Sequence, residues 1–444
     1  MKILNSQNRH NFIQVTVHLF LTLLILLMIF GRSFTGLYFL NFRIGEWLTA
    51  FSLIVSLLLI FIRLTSYYKE INYKNIYNIN LLIILTFVFE LIFHRVSNPT
   101  TYLIKSSSYI WLVAFFYIGY FIFQKINYEN YFIKYLVYLL PLIFIFQTTY
   151  YPKLFSSFFI NNSDKFEYLK AGDVLLVFLS IILITQNNLK NNSLFVIFFL
   201  LSVSLFAPYF LYASKGSFLA LVVIILFQIK SIFRYVNLKK INSIWIFLIS
   251  IILFFSSAYY IYGNFVFEKE KENQKIVVEN IVSGVASIVK ERNTTEVFAS
   301  LYFDNGRLYS EDATANWRLQ IWQDIIEDLS EKELYIFGYG YEEIIPAMDD
   351  VERKGTDGTN EHVHNYFVNI TARGGLMQLI LFIAFHYAFI KNYYREYNSL
   401  KILKFIIPAF IVAFFDTSME SVRFPIIYYS LLGYFYNEDS IYIR

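Results

Sequence analysis

The chain has 444 residues, 57% of them hydrophobic and only 16% charged, with a formal net charge of +4 and a mean hydropathy of +0.50. Soluble domains carry about 25% charged residues, so a water-soluble globule is excluded and an integral membrane protein is expected. With no cysteine, a disulfide, a thiolate nucleophile and a Cys-ligated metal are excluded too.

The first apolar run, residues 12–31, is too long for a signal-peptide core and lacks a small-residue cleavage site, so it is read as a retained span. Further runs follow at 44–62, 79–93, 108–124, 131–150, 171–185, 193–211, 216–229, 241–262, 375–390, 402–416 and 424–437. At about 20 apolar residues per span, they make twelve candidate helices. Glu90 and His94, at the end of the third, stand four apart and are read as a local ion pair. Asp173 opens the sixth. Lys215, in Ser214-Lys215-Gly216, stands at the head of the eighth. An ionisable group at such a place is either functional or a side chain snorkelling to the interface.

Residues 263–374 break the rhythm and hold 21 of the 33 Asp and Glu. The short loops on the side of the two termini carry seventeen Lys and Arg, and those on the other side nine. By the positive-inside rule the acidic segment therefore faces outward. The fold class expected is an all-α polytopic membrane protein: about 12 transmembrane helices with one large, mainly helical external (periplasmic) loop. Residues 1–262 hold helices 1–9, 263–374 the loop and 375–444 helices 10–12.

Inside the loop, 268–293 reads as a charged helical entry followed by a surface helix. A second helix is predicted from Thr314, as N-cap, to Ser330. It places Arg318, Trp322, Ile325 and Leu329 on one face. A guanidinium at the head of such a helix is either solvated or a bidentate grip for a phosphate. Phe337-Gly338-Tyr339-Gly340 then supplies a tight turn, and 355–360 a polar lead-in. From His364 a helix is predicted toward Gly375, with Phe367, Val368 and Thr371 on the His364 face and Arg373 opposite. Gly375 allows a close helix contact or a bend. His364 is either a structural histidine beside the cap or a proton acceptor. Asp416, Glu420 and Arg423 form a short outward turn that either borders a site or caps two helices.

Three motifs, in this order, resemble the O-antigen ligase and polymerase superfamily of bacterial envelope glycosyltransferases. They are Ser214-Lys215-Gly216 opening a span, Arg318-x-x-x-Trp322 followed by Phe337-Gly338-Tyr339-Gly340, and His364-Asn365 followed by Gly375. Lys215 stands where the family usually has Arg, Arg373 where an acidic residue is common, and Gln378 where a second glycine is common. The resemblance implies glycan transfer from undecaprenyl diphosphate to a lipid A-core sugar or to another lipid-linked repeat unit. It implies a metal-independent, inverting displacement without a cofactor, in the bacterial inner membrane. Catalytic roles fall to His364 as base and to Arg318 and Lys215 as cations; Asn365, Trp322 and Arg423 are the substrate-binding candidates. Partners are the two glycans, membrane lipids and other envelope-polysaccharide assembly proteins, with no nucleic acid. A flippase for lipid-linked oligosaccharide, or a structural assembly protein, are the other readings; the single large loop and the lack of repeated halves weigh against the first.

Overall fold

A computed structural model describes residues 6–64, 74–94, 96–125, 131–149, 152–166, 169–189, 192–238, 240–270, 301–311, 313–350, 353 and 361–442. Its long helices are α1 (Ser6–Thr35), α2 (Ile44–Leu64) and α3 (Lys74–Phe93), followed by the short α4 (Pro99–Lys105). Next come α5 (Ala114–Lys125), α6 (Tyr131–Ile143, continued by a π-helical turn to Thr149), α7 (Lys153–Asn162), α8 (Ala171–Asn188), α9 (Asn192–Ala213), α10 (Lys215–Leu238) and α11 (Lys240–Glu270). The segment after Gly263 adds a hairpin, β3 (Leu301–Asp304) and β4 (Arg307–Ser310), and α12 (Ala313–Glu331). Then α13 (Tyr366–Tyr397), α14 (Leu403–Phe415) and α15 (Arg423–Tyr442) close the chain. A first hairpin, β1 (Tyr38–Phe39) and β2 (Phe42–Arg43), joins α1 to α2.

Among the described residues seven helices are long and apolar enough to cross a membrane: α1, α2, α3, α9, α10, α11 and α13. The apolar runs at 108–124, 131–150, 171–185 and 402–416 fall on the shorter helices α5, α6, α8 and α14. The last run falls on α15.

Two cores result. The large one is built from the apolar helices. There α5 and α15 cross closely: a Cβ at Gly119 or Gly433 would run into the backbone of Ser430 or Phe116, the small-residue contact that lets helices approach within a membrane. The second core belongs to the acidic segment. Ile321, Ile325 and Leu329 of α12 pack with Ile345, Met348, Val363 and Ala372, flanked by Trp317, Trp322 and Tyr339. The face predicted for α12 is thus the buried one, and it includes Ile321, one position beyond those read from the sequence.

Four local readings change. Helix α12 begins at Ala313, so Thr314 lies inside its first turn and is not the cap. Helix α13 begins at Tyr366; His364 lies outside it, and no helical face joins His364 to Phe367, Val368 and Thr371. Glu90 and His94 do not pair. Glu90 accepts from Tyr102 Oη (2.9 Å) and Gln378 Nε2 (2.8 Å), while His94 Nε2 donates to the Phe337 carbonyl at 3.4 Å. Partners from distant helices outcompete a neighbour one turn away. The stretch 268–293 and the lead-in 355–360 fall largely or wholly outside the described residues.

Candidate functional site

The site begins with a broken helix. Gly375 sits in α13 at φ 66°, ψ −173°, so residues 366–374 and 376–397 are two helical segments joined by a residue in a positive-φ, non-helical conformation. The backbone freed there is used by the glycine turn. Tyr339 N–H donates to the Ala372 carbonyl (2.7 Å) and Gly340 N–H to Arg373 (2.9 Å), while Leu376 N–H donates to Tyr335 (2.8 Å) and Met377 N–H to Ile336 (3.2 Å). Any side chain at Gly375 would enter the Ile336 carbonyl, and Gly338, at φ 67°, faces the backbone of Ala372 and Arg373 equally closely. Positive φ and backbone contact together require glycine at both positions. The bend foreseen for Gly375 is therefore present, and so is the close approach.

His364 is fixed from both sides of the chain. Asn365 N-caps α13: its Oδ1 accepts from Phe367 N (2.9 Å) and Val368 N (3.2 Å), satisfying two of the orphan donors of a helix start. On the other side Trp322 Nε1 donates to the Val363 carbonyl at 2.7 Å. Between these anchors His364 takes φ 55°, and its ring meets Trp317 edge-on with centroids 5.3 Å apart. Burial, and next the Arg318 guanidinium, push the His364 imidazole down to about 4, against the pull of Asp416. The imidazole is neutral at physiological pH and able to accept a proton.

The three sequence motifs meet at Phe415–Asp416, the end of α14. Arg318 Nη1 donates to the Phe415 carbonyl at 3.0 Å. Gly216, beside Lys215 at the start of α10, packs on the Phe415 ring with no room for a Cβ. Asp416 lies in the electrostatic field of His364, and so does Lys170, whose Nζ donates to Thr417 Oγ1 at 3.5 Å. Asp416 is itself held by Thr417 N–H (2.6 Å) and Ser418 Oγ (3.2 Å). The residues around one turn thus bring a neutral base and two cations, Arg318 and Lys170, to the head of the helix that Lys215 opens.

Arg423 has a different place. It forms a buried pair with Asp173 of α8, Nε at 2.9 Å and Nη2 at 2.5 Å from Oδ2. One end of it therefore faces protein. The residue also lines a polar cavity of about 520 Å³, which shares Lys170, His362 and Thr417 with the surroundings of His364. On the cavity's rim His362 Nδ1–H donates to Glu420 Oε2 at 2.7 Å. Arg373, expected to point away, is buried in the cavity wall and donates to the carbonyls of Gly340 (3.2 Å) and Glu343. Gln378 ties the glycine turn to α3 through Tyr341 and Glu90.

Sequence reasoning passed over Arg32, Arg43, Lys105, Lys165 and Lys170, all on this cavity. A signal was there. They and Arg423 are six of the nine Lys and Arg in the short loops on the cation-poor side, and exceptions to a charge bias ask for a local reason.

Compared with known families, residues 199–383 match the family model described as O-antigen ligase. No curated protein matches the chain. The matched stretch runs from α9 into α13 and holds Lys215, Arg318, Trp322, His364, Asn365 and both halves of the glycine contact. Arg423 and most of the cavity's cations lie outside it. The chain is therefore a multi-pass membrane protein whose residues 199–383 resemble the O-antigen ligase and polymerase superfamily.

Proposed function

We propose that the protein transfers a glycan from undecaprenyl diphosphate to a sugar hydroxyl on the outer face of the bacterial inner membrane, with twelve spans and the acidic loop external. The acceptor is a lipid A-core sugar or a growing lipid-linked repeat. The observation that carries this reading is the meeting of the His364, Arg318 and Gly216 motifs at Phe415–Asp416, inside or against the segment matched by the family.

In the step, the acceptor oxygen bonds to the anomeric carbon as the bond from that carbon to the diphosphate oxygen breaks. The electron pair leaves with the diphosphate, and His364 takes the hydroxyl proton. Arg318 and Lys215 stabilise the anion as it forms, in a poorly hydrated site where charge is worth most. The burial and the Arg318 field that keep His364 neutral also make it a weak base. A diphosphate bound beside Arg318 offsets that field and strengthens the base only when the donor is in place. Asn365 and Trp322 act through the backbone on either side of His364.

The test is transfer by the purified full chain, from a polyprenyl-diphosphate-linked glycan to an acceptor, without an energy source. Product formation that His364→Ala abolishes supports the reading. Movement of lipid-linked glycan across a vesicle membrane with no new glycosidic bond overturns it. Glycan joined to lipid A-core identifies a ligase, and a lengthened lipid-linked chain a polymerase.

A further inference from the structure

We infer that the 520 Å³ cavity beside His364 is a binding site for an anionic saccharide, a sugar carrying a carboxylate or a phosphate ester, belonging to the glycan that reacts at His364. The inference rests on the transfer reading for the origin of the sugar, but not for its charge.

The cavity's size falls within the range of small-molecule sites. Its described lining holds seven basic side chains against three carboxylates. Each of those carboxylates already has a cation or a histidine: Glu46 has Arg43 (3.7 Å), Glu361 has Lys105 (3.3 Å) and Glu420 has His362 (2.7 Å). Asp164 and Asp173, behind the wall, pair with Arg43 and Arg423, so the seven cations meet five carboxylates and a smaller positive excess remains. Burial, together with the nearby Arg43 and Arg32 charges, pushes the Lys165 ammonium below its ordinary range. Like charges held this close are tolerated when an anion completes the group.

The wall is also built to stay in place. Leu40 and Asn41 take φ 50° and 66° in the β1–β2 turn, and the hairpin presents Arg43. Its N–H donates to Glu46 Oε2 at 2.9 Å and its guanidinium pairs with Asp164 at 2.5 Å. Leu37 bridges Ser163 across the same gap. The loop carrying Lys165 is thereby bolted to the loop carrying Arg43. Acceptors suited to sugar hydroxyls stand on the same wall. The side chains of Asn369, Ser107, Thr417 and Ser421 and the Glu361 carboxylate all line it. Cations for the acid and acceptors for hydroxyls are together the chemistry of a charged sugar. A diphosphate alone has no hydroxyl to offer.

The experiment measures binding by the purified full chain of four probes: a glucuronic-acid disaccharide, a hexose phosphate, a neutral disaccharide and farnesyl diphosphate. Either or both acidic sugars are expected to bind, identifying the acid, with an affinity that falls as salt rises, while the neutral disaccharide binds at least roughly tenfold more weakly. Lys165→Gln should lower acidic-sugar affinity roughly tenfold, and Lys165→Arg should restore it. Farnesyl diphosphate should be unaffected by Lys165→Gln. Equal binding of neutral and acidic sugars overturns the inference. So does loss of farnesyl diphosphate together with the acidic sugars in Lys165→Gln, which would assign the cavity to the carrier's diphosphate. Acidic-sugar binding that survives while farnesyl diphosphate fails to bind would instead count against the transfer reading alone.

Discussion

The two ends of the helical bundle each carry a polar cavity, and they differ in how their cations are held. At the end opposite the acidic segment, a cavity of about 360 Å³ is lined by Lys401, Lys404, Gln186, Asn187 and Asn192 among apolar side chains. Near it the Gln186 and Gln228 amides bond each other at 2.8 and 3.0 Å, a neutral link between α8 and α10. At the segment's end the cations are tied to other helices and to backbone: Arg423 to Asp173, Arg318 to the Phe415 carbonyl, Arg373 to two carbonyls. A lysine at a membrane surface serves topology by its charge alone. An arginine whose fork is fixed in advance serves recognition, since its geometry is settled before a ligand arrives.

The sharpest way to break this contrast is at His364. His364→Ala should lower transfer by about 10²–10⁴-fold while leaving the melting temperature of the purified protein unchanged; a drop in melting temperature with little change in rate would return His364 to a structural role. Next is the buried pair. Asp173→Ala strands the Arg423 guanidinium away from water, and breaking such a pair costs about 3–5 kcal/mol, read as a large fall in thermal or denaturant midpoint. Gly375→Ala comes third, at about 1–3 kcal/mol for the strained backbone alone, with added cost from the Ile336 carbonyl it would meet. Lys404→Gln, at the other end, should change stability by no more than about 0.5 kcal/mol and leave transfer unaltered. If it matters as much as Asp173→Ala, the contrast between the ends fails.

The pH profile sharpens the same point. His364 works deprotonated, so rate is lost as pH falls through its pKa. For kcat/KM, which reports the donor-free protein, that acid limb should lie near about 4. For kcat it should lie higher, because the bound diphosphate favours the imidazolium. Coincident limbs would show that no anion binds beside Arg318 and His364.

Much of the architecture was legible because it is local. Apolar runs became helices, and the α12 face was readable from residues three and four apart. Gly375 and the Phe337–Gly340 turn advertised themselves by residue type, since few positions demand glycine. What the sequence concealed is what depends on partners far along the chain. Glu90 stands one turn from His94, yet it bonds Tyr102 and Gln378, because packing of α3 against α13 decides its surroundings. Arg373 could be aimed only by supposing that His364 belonged to the same helix. The helix in fact starts at Tyr366 and breaks at Gly375, so angular reasoning across it had no basis. Asn365 read as a substrate ligand, and its carbonyl oxygen is engaged by the helix it caps. The cavity's cations were visible one at a time, as loop charges, and only folding gathers them.

The joint between the glycine turn and the break in α13 has a consequence for engineering. It is made of main-chain bonds between residues 335–340 and 372–377, so side chains other than the glycines can change there without unmaking it. Chimeras that cross over within these two stretches, with Gly338, Gly340 and Gly375 retained, should therefore keep the break in α13 in register with the turn.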